Sequence, residues 1–253
     1  MRFSISLVGL CAGLACAGSV FAQATVKADG QWRSVLGLGA SLSKGNTDST
    51  NVNLVGDGVR ATAQDKTSVY GNANFARSGG VTSGEQMRFG GRYDFNLTPQ
   101  WFAFGGLDFE RNKFANLKFR SQLGAGLGYH MIATPVTTWD LFGGLVYTAD
   151  QFISKAVVDG SLRSSYNSPS LLFGEESNHK LSESTTARQR FVLYPNLKNT
   201  GEFRSTFDAG LSVAMSKALS LNVGLGLTHD SQAAPGRKST DSLLTTGISM
   251  KFE

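Results

Sequence analysis

Few residues in this chain combine the type and spacing that chemistry requires. Its 253 residues include three histidines, His130, His179 and His229, and two cysteines, Cys11 and Cys16. His229 precedes Asp230 and Ser231, the residue types of an acyl-transfer triad. A serine two positions from its base presents poorly, because nucleophile and base must meet within ~3 Å. No HExxH, GxSxG or phosphate-binding loop occurs. Each histidine reads better as a rim or loop residue. The sequence therefore assigns no catalytic residue, no metal ligand and no cofactor.

The charged residues say more. In Gln86–Phe109 (QMRFGGRYDFNLTPQWFAFGGLDF), Arg88, Arg92 and Asp94 stand at alternate positions, with Met87, Phe89, Gly91, Tyr93, Phe95 and Leu97 between them. A period of two places unlike residues on opposite faces of a β-strand. Thr98-Pro99-Gln100 then reverses the chain as a tight hairpin would. The apolar face resumes as Trp101, Ala103, Gly105, Leu107 and Phe109. What arginines and carboxylates can do on one face is form bidentate, charge-assisted pairs. Arg88 and Arg92 thus have Asp94, Asp108 and Glu110 as candidate partners.

Such side chains need strands to hold them, and the same alternation recurs along the chain. Trp32–Ser43 sets Trp32, Leu36, Leu38, Ala40 and Leu42 against Arg33 and a glycine/serine face. Phe203–Met215 sets Phe207, Ala209, Leu211 and Val213 against Arg204, Thr206 and Asp208. Leu244, Ile248, Met250 and Phe252 close the chain against Thr245, Gly247, Ser249 and Lys251. Asp150–Ser170 has weak periodicity and reads as a long loop with ragged strand ends. With 41% hydrophobic residues, 30 Gly and only 5 Pro, the composition suits one large all-β domain. No apolar run long enough for a transmembrane helix follows the N-terminus. If this chain crosses a membrane, it does so as a closed sheet, since lipid offers open edges no partner.

Loop lengths favour that arrangement. Gln64–Lys66, Thr98–Gln100, Met131–Thr138, Lys180–Ser184 and the region of Lys217 are expected as short turns at one end. Ser78–Glu85, Asn112–Lys118, Asp150–Ser170, Pro195–Glu202 and Asp230–Thr240 are expected as longer loops at the other. A soluble sandwich has no reason to alternate loop length, whereas an outer-membrane barrel does. Trp32, Phe95, Trp101, Tyr129, Trp139 and Phe252 all fall at the short-turn end, where an interfacial aromatic girdle belongs. The expected fold is an antiparallel transmembrane β-barrel of about 12 strands (range about 10–14), with short periplasmic turns and longer extracellular loops.

The N-terminus reads as an export signal over residues 1–22, with Arg2, an apolar stretch from Ile5 to Cys16, and Val20-Phe21-Ala22 as a small-x-small cleavage site. Residues 23–253 would form the single barrel domain. Both cysteines lie inside that signal, so the mature chain would have no disulfide or cysteine-metal site. A lipidated Cys16 fits less well, because Gly13 stands where such signals usually carry Leu. Losing Arg2 takes the net charge from +5 to +4. No basic cluster suggests nucleic acid.

Several short motifs occur in a telling order: Gly45-Asn46-Thr47-Asp48, Arg120 with Gly124-x-Gly126-x-Gly128-Tyr129, and Gly174-Glu175-Glu176-Ser177. Tyr194-Pro195-Asn196-Leu197, Arg204-x-x-Phe207-Asp208 and the closing Lys251-Phe252 follow. Together they resemble the salt-induced outer-membrane protein family over essentially the whole mature chain. The resemblance implies a Gram-negative outer-membrane barrel, exported through the periplasm, with no established activity. Outer-membrane lipid and, during insertion, the barrel-assembly machinery would be its partners. Glu253 departs from the aromatic residue on which such barrels usually finish.

By parity the inward charges are Arg33, Arg88, Arg92, Arg120, Arg188, Arg190, Arg204 and Lys251 against Asp57, Asp94, Asp108, Glu110, Asp140, Glu176 and Asp208. A wall that concentrates one ion needs one dominant sign, and this one is nearly balanced. Two readings stay open: ion pairs that fix the wall and narrow the bore, or groups that guide small solutes. At the level of function, a narrow channel or structural barrel linked to osmotic or salt stress stands first, without enzymatic activity. An outer-leaflet lipid-modifying enzyme, with His229 as its base, is the alternative.

Overall fold

The computed structural model describes residues 24, 26–44, 49–78, 81–113, 116–158, 161–231 and 238–252. The export signal with both cysteines, the Gly45–Asp48 motif and Glu253 lie outside the described residues. Twelve strands follow in order: β1 (Trp32–Lys44), β2 (Ser49–Ala61), β3 (Asp65–Ser78), β4 (Val81–Asn96), β5 (Trp101–Asn112) and β6 (Leu117–Ala133). After them come β7 (Thr137–Val158), β8 (Ser161–Lys180), β9 (Thr185–Pro195), β10 (Phe203–Ala214), β11 (Leu219–Asp230) and β12 (Thr240–Phe252). Each strand pairs antiparallel with its sequence neighbours, and β1 pairs with β12 from Ser34↔Phe252 to Lys44↔Ser242. The sheet is therefore a closed barrel. Both chain ends of the sheet and the short turns lie at one end, called lower below; the opposite end is upper.

Alternation decides which face each side chain takes. On β11 exposed and buried residues alternate without a break from Leu219 to Gly226. The outward set includes Leu38, Leu54, Phe89, Leu107, Leu123, Leu145 and Ile248, all at least half exposed. An apolar belt running around the whole barrel far exceeds the patches that water-soluble monomers leave uncovered. At its lower margin Trp32, Phe95, Trp101 and Phe252 stand exposed, with Tyr129 edge-on to Trp101 at 5.1 Å. Trp139 donates from its indole nitrogen to Glu175 at 3.0 Å.

The upper end differs from the sequence reading. Asp150–Ser170 is no loop: β7 continues to Val158 and β8 starts at Ser161, giving strands of 22 and 20 residues with a register shift between Gln151 and Ala156. Likewise β3 extends to Ser78 and β4 begins at Val81. Above the belt both faces of a strand are wet, so nothing enforces alternation, and pairing alone sustains the hairpin. Weak periodicity there marks the end of the lipid-facing zone and not the end of the strand. Asn116, at a φ of 56°, makes the β5–β6 turn and ties it to β7 through its side chain.

Glycine is required where β6 and β7 pass closely. A Cβ built on Gly126 would lie 2.1 Å from the Gly143 carbonyl oxygen and 2.7 Å from Gly144 Cα, whereas one on Gly105 would meet nothing within 4 Å. Gly126→Ala is expected to lower folding stability by about 1–3 kcal/mol through forced backbone displacement. Gly105→Ala should be nearly neutral. Urea unfolding midpoints of the two variants check the contrast.

Candidate functional site in the barrel lumen

Inward positions place charge and aromatic rings at successive heights in the bore. In the upper part Arg88 Nε donates to both oxygens of Asp108, at 2.9 and 2.7 Å, and Tyr70 donates its hydroxyl to the same carboxylate at 2.5 Å. One strand on, Arg120 donates to Asp150 from Nε and Nη2 at 2.6 and 2.7 Å, with Glu110 at 3.7 Å from Nη1. Gln86 donates to the other Glu110 oxygen at 3.0 Å. Arg88, Asp108, Glu110, Arg120 and Asp150 are all buried. The two-nitrogen fork of Arg120 on Asp150 fixes side-chain direction as well as neutralising charge, and the shared Nε–H of Arg88 holds Asp108 in the same way.

Below them lies a band that the sequence reading did not contain. Phe102, Phe104, Phe142, Val146, Leu172, Val192 and Tyr194 form one buried apolar cluster on the inward face of β5, β7, β8 and β9. Two of its rings fold over glycines of the next strand: a Cβ on Gly128 would lie 2.1 Å from the Phe102 ring and one on Gly174 2.5 Å from the Phe142 ring. Arg92 spans the cluster, its guanidinium 4.4 Å from the Phe104 centroid, 5.1 Å from Phe142 and 5.7 Å from Phe102. The same side chain donates to Asp94 at 2.5 Å, and Lys66 reaches that carboxylate at 3.1 Å. On the far side Arg190 stands 5.6 Å from the Phe142 ring and 3.6 Å from Glu176. Arg204 lies 4.9 Å from the Tyr194 ring.

The remaining inward groups occupy less central places. Arg188 sits in register with Asn178 and Gly210, and Asp208 with Arg190. Asp57 pairs in register with Tyr70 and Val35, and Lys251 with Val35. At the lower mouth His130 Nδ1 is 2.7 Å from Asp140 and the ring stacks on Phe102 at 4.7 Å. Arg33 donates to both oxygens of Asp29 at 2.8 and 2.6 Å, and that hydrogen bonding holds the exposed Asp29 carboxyl well below the usual carboxylate range.

Two lumen groups escaped the sequence reading for a stated reason. Asp150 opens the weakly periodic stretch that reads as a loop, although its even number continues the parity of Asp140. Phe102 and Phe104 share the parity of Asp94 and Asp108, but an aromatic residue on the polar face gives no contrast for alternation to register. Lys66 and Asp150 add one charge of each sign, so the balance of the wall is unchanged.

The histidine reading at the upper end resolves into structure. His229 Nδ1 lies 2.9 Å from the Thr240 hydroxyl and its ring stacks on Phe203 at 5.4 Å. Ser231 accepts a hydrogen bond from the Phe203 backbone N–H at 2.9 Å. His179 lies at the lower end, near Ser177 (3.2 Å) and Thr137 (3.4 Å). No cluster of His, Cys, Asp and Glu able to hold a metal occurs among the described residues.

The paired charges generate a stability test. Arg88→Met leaves Asp108 buried without its cation and is expected to cost about 3–5 kcal/mol. The double replacement Arg88→Met with Asp108→Leu should recover most of that loss. A double-mutant cycle read from urea unfolding in detergent or vesicles measures the coupling.

A family model described as "Protein of unknown function, DUF481" matches residues 36–252. No curated protein matches the sequence. Among solved structures the NanC porin is similar, with a TM-score of 0.57 at 12% identity over 86% of this chain and 100% of that one. The translocator domain of the autotransporter NalP from Neisseria meningitidis gives 0.54 at 13% identity, covering 87% and 88%. The KdgM porin in complex with disordered oligogalacturonate gives 0.51 at 10% identity, covering 87% and 99%. At these identities the likeness is one of fold.

Proposed function

The chain belongs to the DUF481 family of proteins of unknown function, and from that premise we propose that it is a narrow outer-membrane channel with a fixed, non-enzymatic lumen. The closed sheet satisfies every strand edge, the apolar belt suits lipid, and the polar and charged residues face inward. The lower end with its short turns faces the periplasm in this reading, and the long β7–β8 hairpin faces outward.

The observation that carries the proposal is the waist formed by Phe102, Phe104, Phe142 and Arg92. Four side chains from three strands meet within cation–π distance inside the bore, and the Phe102 and Phe142 rings are seated on glycines. Such a constriction passes water and small ions or solutes and excludes larger ones. Balanced charge on the wall supports little preference for one sign of ion.

Planar-bilayer recordings of the purified protein test this. The wild type is expected to conduct far less than an unobstructed barrel of equal strand number. Phe104→Ala with Phe142→Ala should raise conductance several-fold. If both proteins are silent, the barrel is structural and the channel reading fails.

The motif resemblance supports service under osmotic stress. A strain lacking the protein should recover more slowly from a salt upshift, and the wild-type gene should restore recovery. Equal recovery without the protein would remove that part of the proposal.

A further inference from the structure

Resting on the membrane placement above, we propose that the upper rim over β5–β8 is a binding site for the phosphate of an anionic outer-leaflet lipid. Two features meet there. The first is a shelf of three outward rings on adjacent strands: Phe89 on β4 lies 5.0 Å from Phe109 on β5, which lies 5.8 Å from Phe119 on β6. Phe89 and Phe119 remain exposed to the outside of the barrel.

The second is a row of cations directly above the shelf. Arg111 follows Phe109 by two residues on the same outward face, Lys113 stands in the turn beyond it, and Lys118 precedes Phe119. Lys155 on β7 lies three residues beyond Phe152, the register partner of Leu117, and Arg163 on β8 pairs with Ala156, so these two stand further up the rim; all five are exposed. Asn116, just before β6, is pinned to β7. Asn116 donates to the Ser154 carbonyl at 2.6 Å and accepts from the Ser154 N–H at 2.8 Å. That joint holds the start of β6 beside β7.

Height matches the shelf to the acyl region and the row to the headgroups. Phe109 is eight residues above Trp101 on β5. At ~3.3 Å per residue and a strand tilt of about 40°, it lies roughly 20 Å above the lower aromatic margin. Arg111 then lies roughly 25 Å above that margin, at the height where the apolar band of such barrels ends.

Electrostatics favour an anion. Lys113 forms an ion pair with Glu85. Glu85 is also within electrostatic reach of Arg111, whereas Lys118, Lys155 and Arg163 make no ion pair among the described residues. This contrasts with the lumen, where Arg88, Arg92, Arg120 and Arg190 each lie against a carboxylate. An apolar shelf below a rim with more cations than carboxylates fits a lipid that carries acyl chains and phosphate together, because each part meets its complement.

Native mass spectrometry of the full barrel in neutral detergent tests this with three probes: diphosphoryl lipid A, the same lipid with its phosphates removed, and inorganic phosphate. The phosphorylated lipid should be retained at least about tenfold more than the dephosphorylated one. The triple variant Arg111→Gln, Lys118→Gln, Lys155→Gln should bring the two lipids to parity while keeping the heat-modifiable migration of a folded barrel. Equal retention of both lipids by the wild type overturns the site, as does unchanged preference in the variant. Displacement of the lipid by inorganic phosphate at similar concentration would assign the cations to free phosphate and overturn the lipid as ligand. Retention of neither lipid, by a protein that shows no heat-modifiable shift, would instead sink the membrane placement on which the inference rests.

Discussion

Closure of the sheet is the constraint on which everything else in this protein depends. In hydrocarbon an unpaired N–H or C=O group has no partner and costs several kcal/mol. A row of such groups along an open strand edge could not be tolerated. The pairing of β1 with β12 over eleven register positions removes that edge. Once the sheet is closed, each strand has a face toward the outside and a face toward the bore, and the period of two in the sequence becomes a statement about two different environments.

The two environments are filled by different rules. Outside, large apolar side chains stand exposed, with a few rings touching across strands, and most of their surface is left to whatever surrounds the barrel. Inside, rings and guanidinium groups are packed on one another, and glycines on the neighbouring strand provide the room. Buried ion pairs are poor stabilisers when weighed against apolar replacements. Their value in this lumen is directional: the charge-assisted bonds of Arg88 to Asp108 and of Arg120 to Asp150 hold the wall in one arrangement.

Much of this architecture was legible because lipid enforces contrast. Where β5 or β11 crosses the belt, an outward Leu next to an inward Asp or Asn leaves no doubt about the face, and the strand can be read from residue types. Legibility fails where the contrast fails. Above the belt, Ser161–Ser170 is wet on both sides, so a long paired strand looks like a loop. At the waist, Phe102 beside Trp101 and Phe104 beside Ala103 blur the alternation, so the cluster that narrows the bore stayed hidden among residues that looked merely apolar. Which carboxylate pairs with which arginine depends on register and tilt, and short-range spacing does not specify either. Arg88 meets Asp108 on the next strand, and Arg92 meets Asp94 two residues along its own.

The waist also has a consequence for time. Every residue that obstructs the bore is rooted in its own strand: Phe102 and Phe104 in β5, Phe142 in β7, Arg92 in β4. Among the described residues no separate segment has to leave for this waist to widen. Rearrangement then proceeds by rotation about side-chain bonds, which in exposed positions takes picoseconds to nanoseconds and is slower when packed, and not by the micro- to millisecond displacement of a lid or domain. A passage governed in this way has no hinge and no docked closed state. In the channel proposed above, the current would carry rapid flicker about a single mean level.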